Sequence, residues 1–124
     1  MQSSDANAHA SYHFGDAWYL QLYGNHSSDS LEKLDAFPNL VKLRAPCPSL
    51  SNEDVAIISE YRSIQMLDLR DASIDDACIA DLANLDRLVI LWINNTEISD
   101  AGAERLAKML PNCDIRNSSG PGPW

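Results

Sequence analysis

The chain has 124 residues and a net charge of −9 at pH 7, with nine basic residues against eighteen acidic ones. This length predicts a single domain, and an apolar content of 45% with 22% charged residues is ordinary for a soluble globular protein. The acidic balance argues against nucleic-acid binding, which needs a basic face for the phosphate backbone. No apolar run approaches the roughly 20 residues of a membrane-spanning helix, so we expect no membrane insertion.

The two ends of the chain differ in composition from the rest. Residues 1–16 are polar and lack the basic-then-apolar layout of a secretory signal, so we predict an N-terminal cap or a flexible segment there. A cytoplasmic location is expected, and a processed organellar protein would have the same features. Residues 117–124 are rich in Gly, Pro and Ser and are predicted to form a flexible tail.

Between these ends, apolar residues recur with a period of 24 residues. Segments 40–45, 64–69 and 88–93 each open with apolar residues at positions 1, 4 and 6 of the period, and a weaker copy begins at residue 17. Such a period is typical of stacked structural repeats. We divide the domain, residues 17–116, into units 17–39, 40–63, 64–87 and 88–112, followed by a closing strand at 113–116.

Each unit carries a strand signal followed by a helix signal. Positions 4 and 6 alternate as in a short strand, and apolar residues then recur three apart, as in a helix. Ser51 and Asp54 predict a capping box, and Asp76 and Asp100 are predicted N-caps. The predicted fold is α/β: a right-handed βα solenoid with a parallel sheet on its concave face and helices on its convex face.

These residues resemble the leucine-rich-repeat family, in its bacterial and cysteine-containing 24-residue type. The pattern LxxLxL occurs three times, and residues 91–102, LWINNTEISDAG, are similar to the form Thr-x-Ile-Ser/Thr-Asp-x-Gly. The resemblance implies a horseshoe-shaped segment that binds proteins. It implies no catalytic activity.

Positions 3, 5 and 7 of each unit are predicted to point away from the core, onto the concave sheet. They carry residue types that are enriched at protein interfaces, with aromatic and apolar anchors and arginines for directional contacts. The predicted partner-binding residues are Tyr19, Tyr23, Arg44, Met66, Asp68, Arg70, Ile90, Trp92 and Asn94. An alternative is that residues 1–16 or the tail containing Trp124 cover some of these rings.

No motif in the chain predicts a reaction. Cys47, Cys78 and Cys113 are odd in number and form no CxxC, so we expect neither a disulfide nor a zinc site. Nucleophile-elbow and phosphate-loop motifs are absent from the sequence, and we predict no catalytic, cofactor-binding or metal-binding residue. The expected function is non-catalytic binding of another protein through the concave sheet and adjacent loops. The alternatives are a structural or accessory subunit of a larger assembly and a specific inhibitor, such as a toxin-neutralising protein.

Overall fold

A computed structural model describes residues 8–10, 19–22, 34, 39–45 and 47–117 of the chain. These residues form an α/β structure built on a six-stranded sheet whose strand order follows the sequence. The strands are β1 (Ala8–Ala10), β2 (Tyr19–Leu22), β3 (Lys42–Arg44), β4 (Met66–Asp68), β5 (Ile90–Trp92) and β6 (Asp114–Arg116).

Strands β2 to β6 run parallel, as the sequence predicts, whereas β1 pairs antiparallel with β2. A strand within residues 1–16 is not among the elements predicted from the sequence. The parallel pairing from β3 to β6 keeps equivalent positions of successive units side by side. Leu43, Leu67 and Leu91 therefore align across neighbouring strands, and all three are fully buried.

The connections between the parallel strands contain three described helices. These are α1 (Asn52–Ile58), α2 (Ile79–Leu82), which continues from a 3-10 turn at Asp76–Cys78, and α3 (Asp100–Met109). Their apolar residues share one hydrophobic core with the strand leucines; examples are Val55, Ile58, Leu82 and Leu106. The core therefore lies between one face of the sheet and the helices, and its apolar burial is the main stabilising contribution to the fold.

The helix starts match the predicted caps in one case of three. At α1 the capping box is present, and the Ser51 amide donates to Asp54 Oδ2 at 2.9 Å. The N-caps of the 3-10 turn and of α3 are Asp75 and Ser99, so the predictions of Asp76 and Asp100 are wrong by one residue. Asp76 is used differently: its carboxylate accepts hydrogen bonds from the amide and the hydroxyl of Ser99.

At Gly102, in the first turn of α3, two successive units approach each other closely. A Cβ built on Gly102 would meet the Asp76 carboxylate and would lie 2.8 Å from Ile79 Cδ1. Both contacts are closer than real Cβ atoms tolerate. The absence of a side chain at Gly102 therefore lets α3 pack directly on the element that precedes it.

The helix predicted in unit 17–39 falls mostly outside the described residues. Leu34, which belongs to its apolar stripe, is described and is fully buried.

Candidate functional site

The candidate site lies on the face of the sheet opposite the helices, called the outer face below. Alternate residues of each strand point to opposite faces, and the central residue of β3, β4, β5 and β6 belongs to or packs against the core. The first and third residues of these strands therefore point outward. The strand register groups them, with Tyr19, into two rows that cross the sheet.

The first row consists of Tyr19, Lys42, Met66, Ile90 and Asp114. Apart from Asp114, which is exposed, its members are partly buried. Lys42 Nζ lies 4.9 Å from the centre of the Tyr19 ring, a cation–π geometry between neighbouring strands. Burial, and to a lesser extent the charge of Arg44, lowers the pKa of Lys42. This row offers partly accessible apolar surface, with the cation of Lys42 between Tyr19 and Met66 and the carboxylate of Asp114 at the far end.

The second row contains Arg44, Asp68, Trp92 and Arg116, and it is organised around the carboxylate of Asp68. Asp68 has no exposed side-chain surface. Arg70 donates to it twice, from Nε to Oδ1 at 2.8 Å and from Nη2 to Oδ2 at 2.7 Å, and its amide donates to Oδ1 at 3.1 Å. Arg44 Nε approaches Oδ2 at 3.5 Å from the other side.

The Asp68 carboxylate is thus held by two arginines from different units. Its hydrogen bonds, followed by its charge, raise the pKa of Arg70 against the opposing effect of burial. The arginine side chains stay about one-fifth exposed, 22% for Arg44 and 19% for Arg70, whereas the carboxylate has no exposed surface. At this point the guanidinium groups are therefore partly accessible and the carboxylate is not.

Trp92 and Asn94 are buried, and the expectation that both are displayed on the surface is wrong. Trp92 is 4% exposed and Asn94 is 9% exposed. Trp92 lies outside the hydrophobic core that contains its neighbours Leu91 and Ile93, so it is buried on the outer side of the sheet. Strand alternation predicts the face on which a side chain lies, but it gives no information about what covers that face. The same holds for Asp68, which is buried and paired with Arg70 and Arg44 although alternation places it on the outer face.

The other predicted partner-binding residues lie either on or beside the outer face or outside the described part of the chain. Tyr19, Arg44, Met66, Arg70 and Ile90 lie on or beside the outer face and are partly buried. Tyr23 lies outside the described residues. The side-chain oxygen of Asn94 is buried and accepts no hydrogen bond from the part of the chain that the structure describes.

A ladder of polar contacts beside the sheet was missed by sequence reasoning. Asn95 Nδ2 donates to Asp71 Oδ1 at 2.7 Å, across 24 residues. Asn52 and Asp75, at the starts of the helical segments of the two preceding units, exchange two hydrogen bonds of 2.8 and 3.1 Å. Asp and Asn follow β4 and β5 at equivalent positions, and this recurrence was a signal that could have indicated the Asp71–Asn95 contact.

The three thiols are poorly suited to act as nucleophiles. Cys47, Cys78 and Cys113 are free, and burial is the main cause that raises their pKa values to about 11, about 12 and about 11. A thiol with such a pKa is a poor nucleophile at neutral pH. Among the described residues, no group of three or more His, Cys, Asp or Glu side chains is placed to hold a metal ion.

No helix in the described ranges combines the length and the apolar character needed to span a bilayer. No protein-family model matches the chain, and no curated protein matches it with significant sequence similarity.

Proposed function

We propose that this chain is a small leucine-rich-repeat solenoid that binds another protein, without catalysis, through the outer face of its sheet and the adjacent turns. The observation that carries the proposal is the outward row Tyr19, Lys42, Met66 and Ile90. These side chains are partly buried yet accessible, and they lie on the sheet face that the helices leave uncovered. Apolar side chains grouped on a partly accessible face are a feature of many recognition sites.

The repeat assignment is supported by contacts that recur at the sequence period. Equivalent strand residues pair with an offset of 24 residues from β3 to β6, and Arg44–Asp68 and Asp71–Asn95 contacts span the same interval. In a stack of repeats each unit contacts mainly its neighbours. The same sequence separation is therefore expected between contacting residues of every pair of neighbouring units.

The size of the face restricts the kind of complex. A standard interface uses about 20–30 residues on each side, more than the outward strand positions provide. We therefore expect a small or transient interface unless turn residues such as Asp71 and Asn95 take part. Both are exposed at the ends of the strands and could extend the contact area.

The test compares two double variants of matched composition as baits for affinity purification and quantitative mass spectrometry. Met66→Ala/Ile90→Ala removes apolar surface from the outer face. Val89→Ala/Met109→Ala removes it from two positions outside the face, each 51% exposed. The proposal expects a partner retained by the unmodified chain and by the control but lost with Met66→Ala/Ile90→Ala. A partner retained by all three baits would contradict it. Circular dichroism verifies that each bait is folded.

A structural or accessory subunit is a second candidate, favoured by the end of the sheet at β6. There a shallow depression is lined by Asp100, Ala103, Glu104 and Ala107 of α3 together with Ile115 of β6 and Asn117. Ala107→Glu would block a partner docked at this end and leave the outer face unchanged. Loss of the partner with Ala107→Glu, and not with Met66→Ala/Ile90→Ala, would support this candidate over the first.

A further inference from the structure

We infer that β6 pairs antiparallel with β6 of a second copy of this chain, so that two sheets join edge to edge in a closed dimer. The inference goes beyond the proposed function, which concerns a different protein bound at the outer face. The strand order leaves one side of β6 without a neighbouring strand among the described residues. An uncovered strand edge is a template for pairing with another chain.

The backbone of β6 offers one hydrogen-bonding residue to such a partner. The Asp114 amide donates to the Val89 carbonyl at 2.8 Å. The Arg116 carbonyl accepts from the Ile93 amide, also at 2.8 Å. Neighbouring residues of a strand direct their backbone groups to opposite sides. The N–H and C=O groups of Ile115 therefore point away from β5, and an antiparallel partner centred on Ile115 would exchange two hydrogen bonds with it.

The order of the side chains makes β6 complementary to itself. In an antiparallel pair centred on Ile115, Asp114 of each copy lies opposite Arg116 of the other. These positions form the closer, non-hydrogen-bonded pairs, with Cα atoms about 4.5 Å apart. Opposite charges at such positions stabilise a strand pair. A parallel partner in the same register would instead place Asp114 beside Asp114, so the charges favour the antiparallel arrangement.

The charged side chains of β6 are accessible for this contact. Asp114 is 53% exposed and Arg116 is 47% exposed, and they form an ion pair of 2.8 Å within the strand. Each charge would keep that neighbour and gain a second one across the join, so four charges of alternating sign would surround the twofold axis. Charged residues at a sheet edge usually discourage association. Here their order favours one specific pairing.

The residue at the centre of the join is apolar. Ile115 packs against the hydrophobic core and is partly exposed. On the twofold axis the two copies of Ile115 would cover each other on the core side of the joined sheet. The contact would therefore combine apolar burial on one side of the sheet with ion pairs on the other.

The contact is small, so the dimer should be weak. The Cys113 amide already donates to the Leu110 carbonyl, which ends the strand pairing on that side. Asp100 and Glu104 line the same end of the stack, and their negative charges would oppose the approach of a second copy. About three paired residues are far fewer than the 20–30 per side of a standard interface. We therefore expect a dissociation constant of about 0.1–1 mM.

The test is sedimentation equilibrium of the full chain at concentrations from about 10 μM to about 1 mM. We expect the average mass to rise with concentration from 13.7 kDa toward twice that value. Asp114→Arg and Arg116→Asp each place like charges opposite one another in the dimer, and each should weaken it at least about tenfold. Circular dichroism verifies that both variants are folded.

Restoring the opposite charges should restore the dimer. In an equimolar mixture of Asp114→Arg and Arg116→Asp chains, every pair across the join of a mixed dimer is attractive, although each variant alone repels itself. The doubly exchanged chain, Asp114→Arg/Arg116→Asp, is again complementary to itself. Both should dimerise to within about threefold of the unmodified chain. An effect of the substitutions on the fold alone predicts no recovery in the mixture.

Glu60→Arg and Arg62→Glu provide the matched control. These residues are exposed, lie two positions apart before β4, and undergo the same changes of charge. Because they lie outside β6, each substitution should change the dissociation constant less than twofold. An equal loss of the dimer in these variants would show that net charge, and not the pairing of β6, controls association, and would overturn the inference.

Engineered cysteines test the register directly. Asp114→Cys and Arg116→Cys chains, both carrying Cys113→Ser, are mixed and oxidised with glutathione disulfide. The antiparallel register brings position 114 of one copy within disulfide range of position 116 of the other. Intact-mass spectrometry should therefore detect mainly the mixed disulfide dimer. A predominance of dimers linked between identical chains would contradict the register.

The outcomes separate this inference from the proposed function. A monomer at all concentrations, or a dimer unaffected by Asp114→Arg, would overturn the inference and leave binding at the outer face untouched. A dimer lost with Met66→Ala/Ile90→Ala and retained with Asp114→Arg would place self-association on the outer face, and would also overturn it. Species that grow beyond a dimer would indicate head-to-tail contacts in place of a closed pair.

Discussion

Asp71 and Asn95 occupy the same place in successive units, and both adopt a left-handed backbone conformation, with φ of 67° and 59°. Asn95 Nδ2 also donates to Asp71 Oδ1 at 2.7 Å, so the two turns are joined directly. Asn and Asp tolerate this conformation better than other residues with a Cβ, and their short polar side chains suit such turns. The strand-to-turn transition is therefore specified by the same local chemistry in both units.

Replacing Asn95 by Val should lower the free energy of unfolding by about 1–2 kcal/mol, because a β-branched residue strains a left-handed backbone. Asn95→Gly should be nearly neutral, since relief at the backbone offsets the lost hydrogen bond to Asp71. Urea denaturation measures both changes. The control Glu97→Val, at an exposed extended position nearby, should stay within about 0.5 kcal/mol. Equal effects of Val at the two positions would contradict the role assigned to Asn95.

Because Trp92 is buried, its replacement by a small residue should destabilise the fold. An exposed anchor could be truncated without loss of stability, but Trp92 is only 4% exposed. We expect Trp92→Ala to lower the free energy of unfolding by about 3–5 kcal/mol, as for other large buried side chains. Val89→Ala, at a neighbouring residue that is 51% exposed, should change it by less than about 0.5 kcal/mol. Similar denaturation midpoints for the two variants would show that Trp92 is accessible in solution.

Asp68 should matter more for stability than the similar carboxylate of Asp114. Asp68→Ala leaves two partly buried arginines without their shared carboxylate, and breaking a buried pair in this way costs about 3 kcal/mol. Asp114→Ala breaks a pair whose side chains are about half exposed, which should cost less than about 1 kcal/mol. Chemical denaturation of the two variants compares them directly, and a larger loss at Asp114 would refute the expectation.

The contact between Asp76 and Ser99 predicts a pH-dependent contribution to stability. Hydrogen bonds from the Ser99 hydroxyl and amide hold the pKa of Asp76 below its ordinary value of 3.8. A lowered folded-state pKa stabilises the fold above the unfolded pKa, and the contribution is lost as the pH falls through the folded value. The stability difference between the unmodified chain and Asp76→Asn should therefore be largest at neutral pH and shrink below pH 3.8.

Ser99→Ala provides the control for this prediction. It removes the hydroxyl donor, so Asp76→Asn should have a smaller effect in that background than in the unmodified chain. Ser99 also caps α3 through its hydrogen bond with the Gly102 amide, so the comparison requires all four proteins of a double-mutant cycle. A difference that is independent of pH, or unchanged by Ser99→Ala, would show that this contact does not shift the titration.

The strands and their parallel order could be predicted from the sequence because the core residues repeat at a fixed interval. Leu43, Leu67 and Leu91 are buried in register, as their spacing indicates. The predictions of helix starts were less accurate. Asp75 and Asp76 are adjacent N-cap candidates of the same residue type, and contact with the neighbouring unit decides which of them caps the helix. Local propensity does not contain that information.

The outer face was harder to predict than the core. Alternation placed Arg44, Met66 and Ile90 on the correct face, where they are partly accessible. It could not show that Asp68, Trp92 and Asn94 are buried. The accessibility of a sheet face depends on long side chains from neighbouring units and on distant parts of the chain, and neither follows a short periodic pattern.

The raised pKa values of the three thiols have a practical consequence for labelling experiments. Cys47 and Cys113 have pKa values of about 11, so roughly one thiol in ten thousand is ionised at pH 7. Maleimide and iodoacetamide reagents react with the ionised form, so the native cysteines should be modified slowly while the chain is folded. A cysteine introduced at an exposed site such as Val89 would then accept a fluorophore selectively, with the natural cysteines left in place.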